Sequence, residues 1–176
     1  MTNRNANPGD AAEQLVATEF MALRGDLLKH IELQFQLVAV SVVALGTILS
    51  VGYQTRNAAI MSLYPLVSLI LGIYWLNMAH TIIRVGTYLK EVLEPLMSPA
   101  QCGWEHYVRK NPIRGDAIGF WGVRGIFLGG PVVALISALT TMEWSATNIV
   151  AFVLGAVTTV GTFVVFLVWS ERTPGQ

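Results

Sequence analysis

The chain has 176 residues, 53% of them hydrophobic and only 12% charged, with eleven basic residues balancing eleven acidic ones. A soluble domain carries about 25% charged residues, so half that share, with a mean hydropathy of +0.55, points to a membrane protein. Zero net charge argues against a global nucleic-acid-binding field, and a single cysteine, Cys102, excludes an intrachain disulfide or a multi-cysteine metal site.

Residues 1–10 are polar and read as a disordered tail. The opening MTNRNANPGDAAEQ lacks an apolar core followed by a small-residue cleavage site, so the first span is expected to serve as an uncleaved anchor. Residues 11–32 form an amphipathic helix. Val16, Phe20, Leu23, Leu27 and Ile31 recur at spacings of three and four, which puts them on one stripe. No breaker separates this helix from the first span, 33–52.

The second span is 58–79, and its stripe continues through Ile82, Val85, Leu89 and Val92 over 80–94, until Pro95. Both extensions reach about 30 Å beyond the bilayer at the helical rise. If a tight turn joins the two spans, helical register sets Glu19 near Lys90 and Asp26 near Arg84. Opposite charges at two levels fit an antiparallel hairpin, a stalk whose stripes are covered by each other or by further subunits.

Residues 95–117 are a linker broken by proline and glycine, with a short amphipathic helix at WEHYVRK. Arg109, Lys110 and Arg114 cluster there beside Trp104. The cluster reads either as ordinary positive charge drawn to anionic lipid or as an anionic-ligand or partner site with Trp104 as a stacking platform. The third span is 118–140 and the fourth 147–169, followed by a short tail, 170–176. Each span has the roughly 20 apolar residues a bilayer crossing needs. The fold class is therefore an all-α membrane protein with four transmembrane helices and a helical stalk.

Basic residues orient the chain. Arg4, Arg24 and Lys29 precede span one, Arg84 to Arg114 lie between spans two and three, and Arg172 follows span four, whereas the opposite loops hold only Arg56. The positive-inside bias puts both termini and the middle segment in the cytoplasm of a bacterial inner membrane.

In span three, Gly115, Gly119, Gly122, Gly125 and Gly129 share one face, and span four answers with Ala151, Gly155, Thr158 and Thr162. Small residues let helices approach closely in lipid. The face is either the packing seam of spans three and four or an oligomer or pore-lining surface. Arg124 lies one turn inside Trp121. It either snorkels to the headgroups or joins Glu32, Gln34, Gln36, Asn77 and His80 in a polar layer around a hydrated vestibule.

No catalytic pattern emerges. His30, His80 and His106 have no metal-ligand spacing. Ser and Cys lack a base and an orienting group, and no phosphate-cradling loop appears. No enzyme activity, cofactor or metal is implied.

EFMALRGDLLKHIELQFQL, with YLKEVLE and GWEHYVR, resembles a group of small bacterial multi-pass membrane proteins over about residues 15 to 110. The layout is also similar to membrane effectors of anti-phage defence systems. That resemblance implies an oligomer that breaches the inner membrane when a nucleotide or oligonucleotide signal arrives. The expected function is an oligomeric, channel-like effector gated by a cytoplasmic signal. Its expected partners are membrane lipid, copies of itself and a cytoplasmic ligand or protein. The alternatives are a non-conducting anchor or scaffold that assembles partners through the stalk, and a small transporter.

Overall fold

The structure is a computed structural model that describes residues 8–96, 116–141 and 143–170, with side chains described for 13–96, 121–141 and 143–168. All regular elements among the described residues are helical, in the order α1 Pro8–Thr55, α2 Ala58–Met61, α3 Tyr64–Tyr88, α4 Asp116–Thr140 and α5 Ala146–Ser170. A π-helical turn, Leu89–Leu93, and a 3-10 turn, Glu94–Leu96, continue α3. Four helices are long and apolar enough to cross a membrane. The chain is thus an all-α, multi-pass membrane protein in its composition and helix lengths.

The helix ends follow local chemistry. α1 stops where Arg56 takes a left-handed φ of 49°. The Arg56 N–H then reaches the Tyr53 carbonyl at 3.3 Å and the Asn57 N–H reaches the Gly52 carbonyl at 3.0 Å. Two such bonds satisfy carbonyls that the last helical turn leaves open. Asn57 caps α2 by accepting the Ala59 N–H at 3.0 Å. Ser145 does the same for α5, accepting the Asn148 N–H at 3.3 Å, while the Asn148 amide donates to the Glu143 carbonyl at 2.9 Å.

Three boundaries differ from the sequence expectation. The span expected as one helix over 58–79 breaks at Ser62 and Leu63, because Pro65 inside a continuous helix would lack its N–H and clash with the Met61 carbonyl. In the first turn of α3 that missing N–H has no intrahelical partner to lose. The extension expected over 80–94 is α-helical only to Tyr88 and then widens into the π turn, which buries Leu89 and Leu93. Helix α1 begins at Pro8, inside the expected tail; the remaining tail residues, and the short helix expected at WEHYVRK, lie outside the described residues.

The chain divides into two compact units, Met1–Leu33 with Met78–Arg114, and Gln34–Asn77 with Gly115–Gln176. In the first unit, Glu19 meets Tyr88, and Leu23 shares a groove with Thr81, Arg84 and Val85, so the segments of α1 and α3 run antiparallel. Val16, Phe20, Leu23, Leu27 and Ile31 are all half-buried there.

The second unit has two apolar centres. Ala58, Met61 and Ala138 pack with Leu49 and Phe152 near the α1–α2 turn. Leu76, Phe127 and Phe166 pack with Trp75 and Val123 at the other. Trp75 and Phe166 stack at 6.3 Å between ring centroids, and Phe127 lies 5.9 Å from Phe166. Burying such rings against one another contributes geometry as well as apolar area.

Candidate functional site

The second unit encloses polar atoms that the sequence reading did not single out. Pro131 lies inside α4 and is fully buried. Lacking an N–H, it leaves the carbonyl of Phe127, four residues back, without its helical donor. The hydroxyl of Ser68 on α3 fills that role, donating to the Phe127 carbonyl at 3.0 Å. Ser68 is itself fully buried. In an apolar surrounding a freed carbonyl must find such a donor.

One turn earlier on α3, Tyr64 is completely buried and its hydroxyl lies 3.0 Å from that of Ser41 on α1. Tyr64 fits only because residue 130 is glycine. A Cβ there would stand 2.8 Å from the Tyr64 hydroxyl oxygen. At the same end as the aromatic cluster, Gln34 donates to the Trp75 carbonyl at 3.3 Å. Helices α1, α3 and α4 are therefore joined by side-chain hydrogen bonds as well as by apolar contact. The sequence held one signal for this site: a proline within an apolar span announces a freed carbonyl, and hence a hydroxyl on a neighbouring helix.

The described part of the glycine stripe does not form the seam between α4 and α5, one of its two expected roles. Gly122, Gly125 and Gly129 face open space, and a Cβ at any of them would meet nothing within 4 Å. α4 packs instead through Phe127, Gly130, Pro131, Ala134 and Ala138. At about 100° per residue these lie on the side of the helix opposite the stripe. The physical reason is size: the packed face uses a phenylalanine and alanines to fill volume and reserves glycine for the one place where Tyr64 intrudes. Gly115 lies outside the described residues, and the surroundings of Gly119 are likewise not described.

The four residues expected on the answering face of α5 are all described. Gly155 is buried, and a Cβ there would stand 2.9 Å from the Ser62 carbonyl oxygen. Thr162 is fully buried and donates to the Thr158 carbonyl at 2.9 Å. Ala151 and Thr158 are half-buried. Thr158 spends its hydroxyl on its own helix, at Gly155 and Leu154.

In the stalk, Glu19 accepts the Tyr88 hydroxyl at 3.0 Å, two residues before the Lys90 expected at that level. Asp26 and Arg84 are both exposed. The Glu19 carboxylate holds the exposed Tyr88 phenol above its ordinary pKa, first through the hydrogen bond and then through its charge. Arg84 lines the groove of about 360 Å³ with Leu23 and Tyr88. A second groove, about 290 Å³, is bounded by Phe20, Arg24, Leu27, Ile31, Leu89 and Glu94.

The six residues expected around a vestibule divide between the two units. Glu32 and His80 belong to the first, and Gln34, Gln36, Asn77 and Arg124 to the second. Glu32, Gln36 and Asn77 are exposed, and His80, Gln34 and Arg124 half-buried. The Arg124 guanidinium stands 6.0 Å from the ring centre of Trp121, one turn away, a cation–π placement. His30 bonds the Asp26 carbonyl of its own helix through Nδ1 at 2.8 Å. Among the described residues no three metal-capable side chains gather. Trp104, Arg109, Lys110 and Arg114 lie outside the described residues.

Fold and site together define an all-helical chain with four helices long and apolar enough to cross a membrane, α1, α3 and α4 being joined by side-chain hydrogen bonds. The chain matches no protein-family model, no curated protein and no solved structure.

Proposed function

We propose that the chain is the subunit of an oligomeric, channel-like effector of the bacterial inner membrane, gated by a cytoplasmic signal. The observation that carries this reading is the open glycine face of α4, set opposite the face with which α4 packs in its own chain. In lipid, where apolar burial does not drive helices together, a bare backbone surface of this kind favours close approach of another helix. A second copy of α4 is the occupant that closes a symmetric assembly. The basic residues flanking spans one and two support N-in and C-in topology, which turns the grooves at Arg24 and Arg84 toward the cytoplasm. An anionic signal such as a nucleotide or oligonucleotide suits those cations.

The test is the full chain reconstituted in liposomes, with ion flux read before and after cyclic or linear oligonucleotides are added on the side of the termini. Signal-dependent flux is expected, and it should vanish together with the oligomer in Gly125→Leu. An oligomer that never conducts would make the protein the non-conducting scaffold.

A further inference from the structure

We infer that Ser68 is a latch that holds α4 closed over a built-in hinge. Three features converge on one turn of that helix. Gly129 has open space around it, Gly130 is bare where Tyr64 presses in, and Pro131 withholds the N–H that would tie residue 131 to Phe127. Two glycines followed by a proline are the composition at which helices bend. On one side of this turn α4 carries Trp121, Arg124 and the glycine face; on the other it carries Ala134 and Ala138, which are fully buried.

Only one bond from outside the helix reaches the released carbonyl among the described contacts, and it comes from Ser68. While the bond stands, Phe127 stays in the cluster with Trp75 and Phe166. When it breaks, the first half of α4 turns at Gly129 and Gly130 and withdraws Phe127 from that cluster. α4 thereby has two discrete arrangements, which a switching membrane protein needs. The inference concerns α4 itself and stands whether or not the protein conducts.

Hydrogen–deuterium exchange on the full chain in lipid nanodiscs tests it without measuring flux. Ser68→Ala is expected to speed amide exchange in residues 121–131 about three- to fifteenfold, the range of a lost interhelical bond, and to leave 146–160 unchanged. Ser68→Thr, which keeps the hydroxyl, should match the unaltered chain. Pro131→Ala restores the backbone donor. It should slow exchange in the same segment and cancel the effect of adding Ser68→Ala. Unchanged exchange in Ser68→Ala, equal acceleration in α4 and α5, or an undiminished Ser68→Ala effect in the Pro131→Ala background each overturns the latch. If Ser68→Ala does not fold, Pro131→Ala alone decides: faster or unchanged exchange in 121–131 refutes the proposal.

Discussion

The two units use the same pair of helices, α1 and α3, and hold them together differently. In the first unit a half-buried apolar stripe faces the partner segment, and the side-chain bond from Tyr88 on α3 to Glu19 on α1 is exposed. In the second, two bonds between helices are buried, Tyr64 with Ser41 and Ser68 with the Phe127 carbonyl, and a third, from Gln34 to the Trp75 carbonyl, is part-buried. The difference matches composition, since charged side chains are more frequent in the segments of the first unit than in those of the second. Where water can replace a lost partner, a polar contact adds little. Where lipid surrounds the helices, each freed backbone group needs a partner inside the protein.

Truncation of a buried stripe residue should have the largest effect and should separate the units. Leu89→Ala removes a side chain that is only 3% exposed and is expected to cost about 2–5 kcal/mol. Exchange should rise in 13–33 and 78–93 while 146–168 stays protected; equal loss in both would show that they unfold as one.

Next come the glycines, which contrast the packed and open sides of α4 and α5. Gly155→Ala pushes a Cβ against a backbone carbonyl and is expected to cost about 1–3 kcal/mol in reversible unfolding by detergent. Gly125→Ala, with open space around it, should leave the subunit at least as stable. If both cost the same, the assignment of the two faces is wrong.

A smaller loss, about 0.6–2 kcal/mol, is expected for Tyr64→Phe, which removes an interhelical hydroxyl while keeping the ring. The smallest change belongs to the first unit. Tyr88→Phe should leave stability near neutral pH unaltered, since the bond is exposed. The phenol is held above its usual pKa, so whatever the bond contributes is present below about pH 10 and is lost as pH rises through the raised value. An alkaline melting profile that is the same with and without the hydroxyl would remove Glu19 as its partner.

Much of the fold was legible because its signals are local. Each span announces itself within some 20 residues, and the observed bounds of α4 and α5 lie within two residues of those expected, 118–140 and 147–169. Val16, Phe20, Leu23, Leu27 and Ile31 follow a period that any helix imposes. The candidate site was less legible. Gly155 and Thr162 are buried, whereas Gly122 and Gly125, read as either a seam with span four or an oligomer or pore-lining surface, lie open within the chain. Spacing shows that residues share a face but not which way the face turns, and the partner that decides this is remote in sequence.

Hydropathy and helical period alone determined that this chain is helical, that four of its segments can cross a membrane, and that polar helical extensions follow from the first two. Those properties depend on neighbours within a few turns. The tertiary structure decided that Gly130, and not the glycine stripe, makes room for Tyr64, that Glu19 meets Tyr88, and that Ser68 answers the carbonyl freed by Pro131. Each of these depends on the rotation of one helix about its axis and its offset along another, and both are set by how side-chain volumes fit across the interface.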